Sequence, residues 1–123
     1  ETDLNPHNRA FVQMRAETLG LAGKLSVHRD LSDTGAVGFD TVVCLDVLEH
    51  LPDPSDQLVA FHQRMTSDST ALLNWYFFKG YNGEYPFHFD DPELVRDFFR
   101  TLQAHFIEVF HPLLITTRTY QPA

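Results

Sequence analysis

Apolar positions along this chain follow two rhythms, helical spacing in some segments and short continuous runs in others. Thr2 to Asn5 reads as the end of a strand. Asn5 and Pro6 then read as an N-cap and first helical residue, because the Asn side chain accepts from free backbone amides and proline lacks the donor that would be wasted there. Phe11, Met14, Thr18 and Leu19 follow at helical spacing, and Gly20 and Gly23 close the segment. Lys24 to His28 (KLSVH) has the β-branched and apolar character of a short strand, and Asp30 to Gly38 (DLSDTGAVG) that of a loop.

Phe39 to Leu45 is the clearest strand, and its nearly continuous apolar character suits a parallel strand covered on both faces. Asp53-Pro54 repeats the cap-then-proline signal, with Leu58, Phe61, His62 and Met65 as the helical stripe. Ala71 to Phe78 (ALLNWYFF) reads as a second buried strand. Lys79 to Phe89 (KGYNGEYPFHF) is a loop rich in Gly, Asn, Pro and aromatics. Asp91-Pro92 opens a third helix, with Leu94, Val95, Phe98, Phe99 and Leu102 on one face. Phe106 to Phe110 and Leu113 to Tyr120 are strand-like runs with only His111-Pro112 between them, too short a link for a parallel crossover, so they are expected to pair antiparallel. Strands alternating with helices imply an α/β sheet, parallel except at one edge.

Length and composition narrow the classes. The 123 residues, 43% of them hydrophobic, suffice for one globular domain with its own core. No apolar run approaches the roughly 20 residues of a membrane span, and residues 1–20 carry charges and lack the apolar core of a signal peptide. The single cysteine, Cys44, lies inside an apolar run, which fits a buried inert thiol and a reducing, cytoplasmic compartment. A net charge of −8 opposes any function that neutralises nucleic-acid phosphates and favours a small-molecule substrate.

In open α/β sheets ligands bind beyond the carboxyl ends of the strands. Asp3, Asp30 and Asp46 each follow a predicted strand, although Asp is also a common turn former and helix cap. The segment containing Asp46 reads FDTVVCLDVLEHLPDP. It resembles the strand-four segment of class I S-adenosylmethionine-dependent methyltransferases, of the type 11/12-like kind. ETDLNPHNRAFVQMRAETLGL is similar to that family's second strand and following helix, and FIEVFHPLLITTRTYQP to its terminal antiparallel hairpin. The resemblance implies a Rossmann-like methyltransferase sheet, mostly parallel with a C-terminal antiparallel hairpin. It spans residues 1–123 as one partial domain, from the end of strand two to strand seven. It also implies cofactor contacts: Asp3 to the ribose hydroxyls, whose vicinal pair suits the two acceptor oxygens of a carboxylate, Asp30 to the adenine amino group with Leu31 beside the ring, and Leu45 and Asp46 bordering the methionine part.

One departure is plain. The family's glycine-rich turn after strand one has no counterpart, since Gly35 and Gly38 fall between strands three and four. The expectation is that strand one and its loop lie upstream of Glu1, leaving the sheet with an unpaired edge open to self-association.

The spacing D-x-x-E-H places Asp46, Glu49 and His50 on about one helical turn. Two carboxylates and an imidazole there suit a divalent cation, with oxygen ligands favouring Mg²⁺ or Mn²⁺. Two branches of the family carry a related E-x-x-E-H with a bound divalent metal: small-RNA 3′-terminal 2′-O-methyltransferases and ubiquinone-biosynthesis O-methyltransferases. The RNA branch adds a later histidine, and His88 in FHFDDPELVRDFF has a similar setting, whereas Asp46 stands where those branches have Glu. In the metal-free reading, Glu49 and His50 form a cofactor-side rim, and His50 is the general base for a hydroxyl or amine acceptor. Tyr81, Tyr85 and Phe87 are the expected substrate wall, because loops at that end of a sheet carry function. The resemblance therefore implies methyl transfer to an oxygen, nitrogen or carbon nucleophile on a small molecule. Two other readings stay open: a non-catalytic partner module that keeps the fold, and a metal-dependent RNA 2′-O-methyltransferase.

Overall fold

A computed structural model describes residues 6–35, 38–114 and 116–123. The chain divides into two compact units, Glu1–Val37 and Gly38–Ala123.

In the first unit, helix α1 spans Pro6–Thr18. Its end is a Schellman motif: the Leu21 amide donates to the Ala16 carbonyl (2.7 Å) and the Gly20 amide to that of Glu17 (3.0 Å). Gly20 sits at φ 68°, the left-handed conformation that glycine adopts without steric cost. The predicted stripe is present but uncovered, with Phe11, Met14 and Leu19 each more than half exposed. A short 3₁₀ helix spans Leu31–Thr34. The strand expected at Lys24–His28 does not form. Lys24 belongs to a turn, donating to the Leu21 carbonyl, and none of the ladder pairs of the sheet includes residues 24–28. A strand without a partner leaves its backbone groups unpaired, so apolar character alone does not create one. The strand end expected at Thr2–Asn5 lies outside the described residues.

The second unit contains the sheet. Strand β1 (Phe39–Cys44) is followed by a 3₁₀ turn at Leu48–His50, helix α2 (Pro54–His62), strand β2 (Met65–Leu73), helix α3 (Pro92–His105), strand β3 (Phe106–Val109) and strand β4 (Arg118–Pro122). The strand order is β1-β2-β4-β3. Among the described residues only β1 and β2 pair in parallel; β4 is antiparallel to both β2 and β3. The expected antiparallel pair exists and lies at one edge of the sheet, with β4 between β2 and β3. The sheet is accordingly mixed, with one parallel and two antiparallel pairs. Small Ala71 on β2 lies opposite large Tyr120 on β4, and both are buried.

β2 begins at Met65, which periodicity assigns to the preceding helix. Its polar start is stabilised locally. Buried Ser69 donates to the Phe39 carbonyl and accepts from the Thr66 amide (2.8 Å), spanning an irregularity where the register passes from Phe39↔Met65 to Thr41↔Thr70. The strand ends at Leu73 rather than Phe78, because β1 and β4 offer partners only that far. β1 is covered less than its composition implies, since Val43 is 59% exposed.

Helices α2 and α3 pack against each other, and Leu48, Leu58, Leu73, Phe98, Leu102 and Tyr120 are buried. Asp91 caps α3 by accepting from the amides of Glu93 and Leu94, both at 3.0 Å. Trp75 and Phe77 meet Phe98 edge-on, with ring centroids 5.1 and 4.9 Å apart. No helix among the described residues is long and apolar enough to cross a membrane.

Candidate metal centre

Because β1 and β2 run in parallel, with Cys44 level with Leu73, the segments leaving them emerge together. Asn74, the first residue beyond β2, ties the two exits. Its amide donates to the Cys44 carbonyl (3.3 Å), its side-chain Nδ2 donates to Asp46 Oδ1 (2.9 Å), and its Oδ1 accepts from the Asp46 amide (2.6 Å). Asp46 has φ 54°, a left-handed conformation that Asp tolerates better than most side chains. The chain turns there and enters the Leu48–His50 helix, which Leu48, fully buried, pins to the core.

Adjacent positions of that turn have opposite environments. Glu49 is 1% exposed, whereas the His50 ring is exposed. Residues 79–90 fold back over them. Lys79 and Asp90 clasp the base of this loop at 3.2 Å, and the Phe89 amide donates to the Glu49 carbonyl (2.8 Å). Gly80 has φ 85°, a conformation that L side chains rarely adopt, and a Cβ there would displace the Glu84 carboxylate that holds the Asn82 amide.

The fold-back places His88 against His50, with ring centroids 4.6 Å apart and an edge-to-face arrangement. Each imidazole turns Nδ1 to a backbone carbonyl: His50 to Phe87 (3.1 Å) and His88 to Tyr76 (2.8 Å). A carbonyl only accepts, so each Nδ1 must carry a proton and donate it. In the neutral rings the Nε2 atoms then hold the lone pairs. Tyr85 stacks on His88, 5.1 Å between centroids and 21° between planes. Glu49 Oε2 is buried without a hydrogen-bond partner, and ligand atoms of Glu49, His50 and His88 all lie within 4.8 Å of one another. Burial, then the Glu49 carboxylate, push the Cys44 thiol up to about 11, an inert thiol at neutral pH.

Of the residues singled out in the sequence, the structure brings together Glu49, His50 and His88 and separates Asp46, which is turned to Asn74. The helical D-x-x-E-H register fails because the left-handed Asp46 precedes the 3₁₀ turn instead of belonging to it. Leu45 is 43% exposed at the strand exit. Asp30 is the N-cap of the Leu31–Thr34 helix, its Oδ1 accepting from both the amide and the hydroxyl of Ser32. Asp30 and Leu31 belong to the first unit, and Asp3 lies outside the described residues. Tyr81 and Phe87 are strongly exposed and Tyr85 about half so. Three participants escaped the sequence reading. Asn74 was visible as the lone amide in an apolar run, ALLNWYFF. The carbonyls of Tyr76 and Phe87 had no side-chain signal at all.

A cavity of about 330 Å³, lined by Trp75, Phe99, Leu102, Arg118 and Tyr120 among others, includes none of the three clustered residues. No protein-family model matches the chain, and no curated protein matches it significantly.

Proposed function

We propose that this chain is part of a class I S-adenosylmethionine-dependent methyltransferase acting on an oxygen, nitrogen or carbon nucleophile of a small molecule. One observation carries the reading. FDTVVCLDVLEHLPDP forms β1, ends level with its parallel neighbour, and turns so that Glu49 and His50 lie just past the strand carboxyl ends. That is where open α/β sheets bind ligands. The β1–α2–β2 crossover is compatible with a Rossmann-like sheet in which β4 is the antiparallel member.

The cofactor residues fit unevenly. Leu45 and Asp46 are exposed at the strand exit, as a cofactor-facing role requires, with one Asp46 oxygen bonded to Asn74. Asp30 would have to take an adenine amino group alongside its bonds to Ser32. S-adenosylmethionine, when bound, supplies a methyl group on a sulfonium; the acceptor's lone pair forms the new bond to carbon as the carbon–sulfur pair passes to sulfur. The chain's part is alignment and proton removal. His50, held by its Nδ1 donation to Phe87, has an Nε2 lone pair able to take the proton from a hydroxyl or amine acceptor. Tyr81, Tyr85 and Phe87 offer exposed aromatic surface for a planar or apolar acceptor. The charge of −8 favours a small molecule over a phosphate backbone, and the lone buried thiol is compatible with a cytoplasmic setting.

Calorimetric titration of S-adenosylhomocysteine into the chain and into the full-length gene product tests this reading. Binding by at least the full-length protein is expected, weakened by Asp46→Ala and by Asp30→Ala. Failure of both forms to bind would remove the cofactor role.

A further inference from the structure

We propose that Glu49, His50 and His88 form a three-ligand site for a divalent transition-metal ion, Zn²⁺-like in preference, from which Asp46 is excluded. The inference goes beyond methyl transfer and does not depend on it.

The argument begins with hydrogen-bond capacity. Both imidazoles direct Nδ1 at backbone carbonyls, at 3.1 Å for His50 and 2.8 Å for His88. That is the outer-shell arrangement that fixes a ring's tautomer and aims Nε2 at a metal. Beside them Glu49 is 1% exposed, and its Oε2 has no donor. A buried carboxylate oxygen without a partner is expensive. With the rings neutral, each of the three residues keeps an acceptor free of any protein donor, and ligand atoms of the three lie within 4.8 Å of one another. A water molecule could donate to only two of the three. A cation satisfies all of them at once.

The ligand set then selects the ion. One carboxylate and two imidazoles suit zinc and its transition-metal neighbours, whereas Mg²⁺ and Ca²⁺ prefer oxygen. Asp46 would have made the site richer in oxygen, but Asn74 holds both its amide and its carboxylate. Bonds of about 2.0–2.2 Å place ligand atoms roughly 3–4 Å apart, so the present 4.8 Å span closes with a small inward movement. His50 is exposed, leaving an entry side. Three protein ligands leave at least one coordination position, suited to water or to a hydroxyl or carboxylate oxygen of a small molecule. A bound ion engages the Nε2 lone pair of His50, so the proton-accepting role above belongs to the ion-free protein.

The test is titration of untagged protein with Co²⁺, read by visible absorption, and with Zn²⁺ and Mg²⁺, read by calorimetry. Wild type is expected to bind one Co²⁺ or Zn²⁺ and to ignore Mg²⁺. Since even outer-shell losses weaken metal sites roughly 10–100-fold, His88→Ala and Glu49→Gln should each weaken binding at least about 100-fold. Asp46→Asn and His62→Ala should bind like wild type; His62 lies near His105, 4.8 Å between ring centroids, and controls for adventitious uptake there. Circular dichroism melts verify that each variant folds, and half-buried His88 carries the test should Glu49→Gln fail to fold. Absence of Co²⁺ bands in wild type, wild-type affinity in His88→Ala, or loss of binding in Asp46→Asn or His62→Ala would each overturn the proposal. S-adenosylhomocysteine titrated in parallel separates its fate from that of the methyltransferase reading.

Discussion

Replacing Asn74 by Ala removes the tie between the two strand exits. Its Nδ2 donates to Asp46 Oδ1 at 2.9 Å and its Oδ1 accepts from the Asp46 amide at 2.6 Å, and the substitution deletes both. An intramolecular hydrogen bond contributes about 0.5–1.5 kcal/mol net, with more for charged partners. Because Asp46 is exposed, the lower half of that range applies to each bond, giving about 1.5 kcal/mol for the pair. At roughly 4–8 °C per kcal/mol for a domain of 60–100 residues, the thermal midpoint should fall about 6–12 °C. Asp46→Gly supplies the second arm of a double-mutant cycle. It loses the side-chain bond but relieves the left-handed φ of 54°, a strain at or below the roughly 1 kcal/mol lower end for L-residues because Asp tolerates that conformation, so alone it should be close to neutral. In the Asp46→Gly background Asn74→Ala should remove only the backbone bond and cost about half as much. Urea denaturation of the four proteins measures the coupling. A coupling within about 0.3 kcal/mol of zero would show that Asn74 does not hold Asp46, and the reason given for its exclusion from the cluster would fail.

Three further outcomes are expected. Asp91→Ala removes two 3.0 Å bonds to the first turn of α3 and should cost about 1 kcal/mol in urea denaturation, with Asp91→Ser recovering most of it. Phe98→Ala empties a fully buried site against Trp75 and Phe77 and should cost about 3–5 kcal/mol, with a shift in Trp75 emission; a cost under about 1 kcal/mol would mean the α3 face is misplaced. Burial, with smaller effects of neighbouring carboxylates, pushes the Cys44 thiol up to about 11 and the Tyr120 hydroxyl up to about 12. The unfolded chain releases these protons first, so this contribution to stability is complete below the thiol's ordinary value of about 8.5 and is lost as pH rises beyond it. Urea midpoints measured from neutral to alkaline pH should fall in wild type and fall less steeply in Cys44→Ala; a rise would contradict the assignment.

What the sequence disclosed follows from where the information resides. Cap-then-proline pairs at Asp53-Pro54 and Asp91-Pro92 located the starts of α2 and α3 to the residue, because the signal is local: both helices begin on the proline, and Asp91 adds side-chain capping bonds that Asp53 does not make. β1 was legible from its apolar run. Pairing was not. β2 has a polar first half, Thr66 to Thr70, made strand-like only by Ser69 bonding across to Phe39, and KLSVH is strand-like in composition but lacks a partner. The insertion of β4 between β2 and β3 is likewise a long-range choice that no window of residues contains. Within the candidate site, side-chain types pointed to Glu49, His50 and His88. The rejection of Asp46 depended on one backbone dihedral and on Asn74, which is 28 positions away.

The apolar strand that runs into Asp46, Glu49 and His50 poses an energetic question at Glu49. A folded domain has about 5–15 kcal/mol in hand, and a buried oxygen without a donor subtracts about 1–3 kcal/mol of it. Glu49 Oε2 is such an oxygen, next to the fully buried Leu48 on the same turn. An apolar side chain of similar length would fill that space without the penalty, so Glu49→Met should stabilise the ion-free protein by about 1–3 kcal/mol while abolishing Co²⁺ uptake. Gain of stability with loss of binding is the signature of a residue kept for a ligand. Were Glu49→Met to destabilise the ion-free protein, Glu49 would have a structural partner that the fold conceals, and a metal would no longer be needed to account for it.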